Sequence, residues 1–218
     1  MSEKFINSQK RNQKQTIIYE AALDVFAEFG FRKACMEDIA KRLGLAVGTL
    51  YRYAHDKQDL YRKAVKYAFE SWQAEAVKAA EASGDPLERF RLLCLTAFRH
   101  LAGEPHLRRI LAGDPALFPV VDAEDPFEAI NRRSVDILER FIREGMVVGA
   151  FAVPDPRIAA RVLFSLYQLF IEKAYVEEEA GETLLFEQSL DLVLNGLRVR
   201  DPARAVTEAS MIQSDKGD

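Results

Sequence analysis

Apolar residues in the segment 36–57, MEDIAKRLGLAVGTLYRYAHDK, form two short runs at helical spacing with a glycine between them. The first run occupies one face of a predicted helix and comprises Ile39, Ala40 and Leu43. The second run resumes on another face and comprises Leu45, Leu50, Tyr53 and Ala54. Gly44 stands where the first helix must end in a left-handed residue, and the small Ala40 allows the second helix to cross closely. The pattern therefore predicts a helix-turn-helix.

The outward face of the second helix follows from its geometry. If Leu50 points into the core, a rotation of about 100° per residue directs Gly48 and Arg52 outward, with Thr49 and Tyr51 beside them. Gly48 lets the helix backbone approach another surface closely. The hydroxyls and the guanidinium can contact phosphates and base edges, so this face is a candidate surface for reading DNA.

The next helix is predicted to begin at Lys57, with Asp56 as its N-cap. A lysine in the first turn opposes the helix macrodipole, at a cost of about 0.3 to 1 kcal/mol. A DNA phosphate bound at the same place would reverse the sign of that effect. The alternative is a lysine that is simply solvated at the surface.

Residues 17–60 resemble the DNA-binding domain of the TetR (tetracycline repressor) family, through the segments AALDVFAEFGF and MEDIAKRLGLAVGTLYRYAHDKQDL. The resemblance implies that DNA is contacted by Gly48, Thr49, Tyr51, Tyr53 and Lys57, and we add Arg52, Val47 and His55 from the same segment. Cys35 and Ala46 stand where the family usually has Ser or Thr as N-caps, and Ala54 replaces a usual core phenylalanine. The loss of a cap costs about 1 kcal/mol, so we expect this domain to be weakened locally.

Charge supports the same division of the chain. Residues 1–60 contain ten Lys or Arg and eight Asp or Glu, whereas the whole chain has a net charge of −4, so the first part is the basic one. Residues 1–15 are polar and are predicted to form a flexible basic arm, from which Arg11 and Lys14 reach DNA. The alternative is an ordinary disordered terminus.

Periodicity along the chain predicts an all-α protein. We expect a helix-turn-helix domain over 16–60, a larger helical effector-binding and dimerisation domain over 61–200, and a disordered tail over 201–218. The predicted helices outside the helix-turn-helix span 16–29, 57–82, 86–102, 106–111, 126–144, 156–177 and 182–197, with a loop over 113–126.

The last two predicted helices are apolar around most of their circumference. One face can pack on the core of the chain, so the other requires a partner unless the helices are central to the fold. We expect a homodimer, and the family resemblance implies a four-helix interface at the same place. The expected interface residues are Val162, Leu166, Leu169, Phe170, Leu190, Val193, Leu194 and Leu197. Two heads related by a two-fold axis would read a palindromic operator at sites about 34–36 Å apart.

The resemblance also implies a small-molecule effector bound inside the body. Apolar residues of the predicted helices, with a few polar ones, favour an apolar or aromatic effector with one polar group. The candidate lining consists of Leu93, Cys94, Ala97, Phe98, His100, Leu101, Phe127, Ile130, Arg133, Ile137, Phe141 and Tyr167. The alternative for each of them is a plain core position, which any helical bundle requires at this spacing.

Enzyme, metal and membrane signatures are missing from the sequence. It has no P-loop, dinucleotide-binding or nucleophile-elbow motif, and no histidine has a Glu three residues before it, so we expect no catalytic residue, metal or cofactor. Two distant cysteines and short apolar runs favour a cytoplasmic location. We expect a ligand-responsive repressor. The alternative is a helical small-molecule-binding or interaction protein of the same fold that lacks operator binding.

Overall fold

The computed structural model of the chain describes residues 3–104, 107, 109, 126–177 and 182–198. Within these residues the secondary structure is helical apart from one isolated bridge between Phe151 and Arg198, which confirms the predicted all-α class. The helices are α1 (Glu3–Lys33), α2 (Met36–Leu43), α3 (Val47–Leu50), α4 (Lys57–Ala80), α5 (Pro86–Gly103), α6 (Pro126–Val147), α7 (Pro156–Glu177) and α8 (Glu182–Leu197).

Helix α1 begins much earlier than the sequence pattern indicated. Residues 3–15, which belong to the segment predicted to form a flexible basic arm, have a helical backbone. The segment lacks glycine and proline and is rich in Lys and Gln, whose straight side chains lose little freedom in a helix. At the predicted stop, Gly30 has a φ of 77° and interrupts the helical geometry, but helical residues resume after this kink and α1 ends at Lys33.

Side chains at the predicted boundaries begin two of the helices. Asp56 accepts a hydrogen bond from the amide of Asp59 at 2.7 Å, and Asp85 accepts one from the amide of Glu88 at 3.2 Å. Each carboxylate thus satisfies an N–H group that the first turn of a helix leaves without a partner. Helix α6 extends three residues beyond the predicted end, to Val147. The predicted loop over 113–126 and tail over 201–218 lie outside the described residues except for Pro126, and of the predicted helix over 106–111 only residues 107 and 109 are described.

One continuous hydrophobic cluster extends from Ile18 in α1 to Leu197 in α8. Helix α4 joins the two ends of the molecule, because it packs against α1 at one end and against α5 and α6 further along. Its buried side chains include Leu60 near the first end and Trp72 and Ala76 near the second. We call α1–α3 with the first turn of α4 the head, and the remaining helices the body.

Candidate nucleic-acid interface and internal cavity

The turn between α2 and α3 has the geometry that the sequence predicted. Gly44 adopts a left-handed conformation with φ 63° and ψ 32°. Its amide donates to the carbonyl of Lys41 at 3.2 Å, and the next amide, of Leu45, donates to the carbonyl of Ala40 at 2.9 Å. These bonds satisfy carbonyls at the end of α2 and redirect the chain into α3.

The start of α2 is held differently from what we expected. The carboxylate of Asp38 accepts hydrogen bonds from both the amide and the thiol of Cys35, at 2.9 and 2.8 Å. The thiol bond lowers the pKa of the Asp38 carboxyl, and the amide bond adds to the effect. Asp38 thus supplies the reciprocal half of a capping box, because it accepts from the amide of the N-cap residue Cys35. Ala46, at the start of α3, supplies no side-chain cap.

Helix α3 and the turn that follows it present three outward residues to solvent, a surface that we call the α3 face. Gly48 and Arg52 are exposed, and the Tyr51 side chain is 54% exposed. Thr49 is half-buried beside them. A Cβ added at Gly48 would meet no atom within 4 Å, so the glycine leaves open space in front of the helix. Leu50 is fully buried on the opposite side.

The other predicted DNA contacts lie around this face in different environments. Lys14 and His55 are exposed, whereas Val47 and Tyr53 are half-buried and pack against the hydrophobic core. Arg11 belongs to α1, but its side chain lies outside the described residues. The structure therefore brings Gly48, Tyr51 and Arg52 together most clearly.

Lys57 has a structural role that the sequence analysis missed. Its Nζ donates to the backbone carbonyls of Phe31 at 2.8 Å, Arg32 at 3.3 Å and Ala34 at 3.0 Å, and lies 4.7 Å from the centroid of the Phe31 ring. These carbonyls stand at the negative C-terminal end of α1, so they offset the unfavourable position of the cation at the start of α4. The expected phosphate is not needed for that purpose, and the three N–H donors are already used.

A cavity of about 80 Å³ lies inside the body. Helices α4–α8 all contribute to its wall, which is formed by Trp72, Gln73, Ala76, Leu93, Cys94, Ala97, Ser134, Ile137, Leu138, Leu163, Phe164, Leu166, Tyr167, Phe170, Phe186, Ser189, Leu190 and Val193. The lining is predominantly apolar and aromatic, as in small-molecule sites, although such sites usually measure about 300–1,000 Å³. A drug-sized ligand would therefore have to move parts of this wall.

Aromatic rings surround Tyr167 in the wall of the cavity. The Tyr167 ring stacks on Trp72, with centroids 5.9 Å apart and an interplanar angle of 24°. It also contacts Phe164, Phe98 and Phe186 at centroid distances of 6.2–6.3 Å. Burial raises the pKa of the Tyr167 hydroxyl well above its ordinary value. Burial likewise raises the pKa of the Cys94 thiol to about 12. Both groups are therefore neutral at physiological pH.

Of the predicted effector contacts, the structure brings five to the cavity wall: Leu93, Cys94, Ala97, Ile137 and Tyr167. Four others are buried outside it, namely Phe98, Leu101, Ile130 and Phe141. The prediction that His100 and Arg133 anchor a ligand inside the cavity was wrong, because both side chains lie partly at the surface. His100 pairs with Glu75, and Arg133 pairs with Glu70. Phe127 lies outside the described side chains. The α4 residues of the wall were not predicted from the sequence, and Gln73 is the most informative of them.

The predicted dimer residues divide into two groups. Val162 and Leu169 are 53% and 48% exposed, and a surface groove along α7 includes both of them with Leu166. The prediction that Leu190, Leu194 and Leu197 lie in a dimer interface was wrong, because their side chains are buried in the core of the chain itself. Phe170 and Val193 line the cavity. Exposed apolar residues that were not predicted include Ile158, Leu184, Leu185 and Leu192.

Two kinds of feature are absent from the described residues. None of their helices is long and apolar enough to cross a membrane. They also contain no cluster of three or more His, Cys, Asp or Glu side chains arranged to hold a metal ion.

Comparison with known proteins gives a consistent result for the head. Residues 18–64 match the family model described as bacterial regulatory proteins, tetR family. The chain is 32% identical over 93 residues to the transcriptional repressor KstR of Mycolicibacterium smegmatis, an alignment that covers 43% of this chain but only 46% of KstR. It is 25% identical over 195 residues to a fatty acid metabolism regulator of Bacillus subtilis, covering 87% of this chain and 97% of that protein.

The whole fold also has relatives among solved structures. The structure of the transcriptional regulator FadR from Bacillus subtilis in complex with stearoyl-CoA superposes with a TM-score of 0.69 at 21% identity. The superposition covers 84% of this chain and 98% of FadR. At this identity the likeness establishes the architecture, a helix-turn-helix head on a larger helical body.

Proposed function

Because the chain belongs to the TetR family of bacterial regulatory proteins, we propose that it is a transcriptional repressor that binds a palindromic operator as a homodimer and is released by a small apolar or aromatic effector. The single observation that carries the proposal is the exposed face of α3, where Gly48, Tyr51 and Arg52 stand together opposite the buried Leu50. Such a regulator acts on chromosomal DNA, hence in the cytoplasm. The proposal includes no catalytic role.

The proposed DNA surface combines close approach with hydrogen bonding. Gly48 brings the α3 backbone near the floor of the major groove, because no side chain intervenes. Arg52 and Tyr51 then reach phosphates or base edges, with Thr49 beside them, and Lys14 and His55 lie at the margin of the contact. Lys57 supports this surface from behind by fixing the end of α1.

The proposed dimer forms through the exposed apolar faces of α7 and α8. Ile158, Val162 and Leu169 follow one another at intervals of four and seven residues, so they share one face of α7. Leu185 and Leu192 do the same on α8, and Leu192 is 75% exposed. A second copy of the chain would cover both faces, since a two-fold axis matches each patch to its counterpart.

The effector site is proposed to be the cavity between α4 and α8, and two connections link it to the head. Helix α4 is shared by both parts. In addition, Arg109 Nη1, in the segment after α5, donates to the carbonyl of Ala27 in α1 at 3.2 Å. A ligand that expands the cavity would shift α4 and the Arg109 contact, and thereby the spacing of the two heads in a dimer.

The proposal is tested by selecting sequences from randomised duplex DNA with the full chain, followed by salt-titrated binding. We expect a palindrome with half-sites one helical turn apart. Arg52→Ala should weaken binding about tenfold and reduce the salt slope by about one, as the loss of a phosphate contact does. Gly48→Ala should also weaken binding, although the free protein has room for the added methyl group.

Arg132→Ala is the matched control, because it removes the same charge from an exposed position on α6. It should bind the selected DNA like the parent. Sedimentation of each protein verifies that the dimer persists. If no symmetric sequence is enriched, the repressor proposal fails, and the alternative of a ligand-binding protein without an operator is favoured. If Arg52→Ala and Gly48→Ala bind normally, the α3 face is not the DNA surface.

A further inference from the structure

Two polar atoms in the wall of the cavity have no hydrogen-bond partner among the described residues. They are Oε1 of Gln73, whose side chain is almost completely buried, and the hydroxyl of Tyr167. Buried polar atoms in folded proteins nearly always have partners, so each exception requires an explanation. Both residues line the same cavity, one from α4 and one from α7.

The orientation of the Gln73 amide is fixed by its other end. Nε2 donates to the carbonyl of Ile130 at 3.1 Å and to Oγ of Ser134 at 2.9 Å. Oγ of Ser134 in turn donates to the same carbonyl of Ile130 at 3.2 Å, so its hydrogen is already used. A rotated amide would place Oε1 next to the carbonyl oxygen of Ile130, which can only accept, and the Ser134 hydroxyl could donate to Oε1 only by giving up its bond to that carbonyl. Oε1 is therefore the free end, and it requires a hydrogen-bond donor.

The rest of the cavity wall restricts what that donor can belong to. No Lys, Arg or His is among the described residues that line it, so a buried carboxylate or phosphate would have no counter-charge. The Tyr167 hydroxyl is protonated because burial raises its pKa, and it can donate or accept. Trp72, Phe164 and Phe186 offer ring faces and edges next to it.

We infer that the effector is a neutral aromatic molecule with a hydroxyl or N–H group that donates to Gln73 Oε1, its ring packed among Trp72, Tyr167 and Phe186. This inference rests on the proposed effector site. The cavity of about 80 Å³ is smaller than the cavity of about 150 Å³ that accommodates benzene in an engineered protein, so even a ligand of one or two rings would have to widen it. The cavity wall around Gln73 is unsuited to an anionic head group, because the described lining residues offer it no counter-charge.

The test measures binding to the full chain by calorimetry, with three probes that share one ring system: 2-naphthol, its methyl ether and 2-naphthoate. We expect 2-naphthol to bind about tenfold more tightly than the ether, which corresponds to one additional net hydrogen bond. The anionic 2-naphthoate should bind more weakly than either. Equal affinity for naphthol and ether would overturn the inference, and so would the absence of binding at millimolar concentrations. An ordered water that already pairs with Oε1 would give the first of these results.

Two variants test whether the preference for naphthol over its ether depends on Gln73. Gln73→Met should bind naphthol and its ether equally, because the acceptor is removed while the length of the side chain is kept. Gln13→Met makes the same substitution at an exposed position of α1 that is not part of the cavity wall, and it should keep the preference of the parent. A preference that persists in Gln73→Met would assign the donor to another group and overturn the inference.

These measurements need no DNA, so the two proposals fail separately. A chain that selects a palindrome but shows no donor preference retains the proposed function and loses the inference. A chain that prefers naphthol through Gln73 but selects no DNA sequence retains the ligand class and loses the operator.

Discussion

Helix α4 carries a polar side chain of functional interest near each end, and the hydrogen bonds of the two differ. Lys57, in the first turn, has three donors and three carbonyl acceptors, at 2.8–3.3 Å. Gln73 uses its two donors, but its acceptor Oε1 has no partner in the part of the chain that the structure describes. The head end of the helix is thus closed by internal contacts, whereas the body end retains the capacity to bind one more donor.

The difference suggests a direction for the transfer of information. At a rise of about 1.5 Å per residue, Lys57 and Gln73 are about 24 Å apart along the helix axis. A ligand that donates to Gln73 forms a new hydrogen bond with α4. The same helix contacts the carbonyls at the end of α1 through Lys57. Because Lys57 fixes these carbonyls to the helix, a displacement of α4 would move the head with it.

The largest expected effect on stability comes from a substitution of Lys57, at the head end of α4. Lys57→Met keeps the aliphatic stem but leaves the carbonyls of Phe31, Arg32 and Ala34 without their shared donor. We expect the free energy of unfolding to fall by about 2 kcal/mol, which is typical for hydrogen bonds to a charged group. Chemical denaturation of the full chain measures the change.

Lys66→Met is the control for this substitution, because Lys66 is an exposed lysine of the same helix. A surface change of this kind should stay within about 0.5 kcal/mol. Equal stability of the two variants would contradict the structural role of Lys57 and would return it to the set of candidate phosphate contacts.

The sequence predicted the head well wherever a contact is local. Gly44 ends α2, Asp56 caps α4, and Leu50 is buried opposite Gly48, each as expected from its neighbours along the chain. The contacts of Lys57 could not be predicted in this way, since their acceptors are backbone atoms 23–26 positions away. Such carbonyls have no residue type, so they leave no signal in a sequence pattern.

In the body, the sequence predicted where the helices begin and end but not which of their apolar faces lies in the core. Helices α7 and α8 have the predicted bounds, yet Leu190, Leu194 and Leu197 pack in the core rather than on a partner. A helix that is apolar around its circumference does not specify how it is rotated, so periodicity cannot separate core, cavity and interface. Gln73 was missed because a single glutamine in a helix is usually solvated.

A second prediction concerns whether water reaches the Cys94 thiol in the cavity wall. Burial raises the pKa of Cys94 from 9.0 to about 12, so the folded thiol stays neutral while the unfolded one ionises. A raised pKa contributes stability that is present below pH 9 and is lost as the pH rises toward 12. We expect the parent to lose about 1.4 kcal/mol between pH 8 and 10 that Cys94→Ala does not lose.

Denaturation of both proteins at pH 8, 9 and 10 provides this comparison, because all other titrating groups are shared. The constant cost of removing the thiol cancels in the pH dependence. Parallel curves would mean that water reaches Cys94 in solution, and the cavity would then be a wet pocket rather than an apolar one.

The smallest expected effect is at the open end of the helix. Gln73→Met removes two donated hydrogen bonds, but the carbonyl of Ile130 keeps Ser134 as its donor, and the unpaired Oε1 disappears from the core. Since an unsatisfied buried acceptor costs about 1–3 kcal/mol, its removal should offset most of the loss, and we expect a net change below about 1 kcal/mol. The same substitution at Lys57 has no such compensation, so unfolding of the two methionine variants measures the contrast directly. If Gln73→Met is as destabilising as Lys57→Met, then Oε1 has a partner in solution, both ends of α4 are closed, and the body has no free acceptor with which to recognise a ligand.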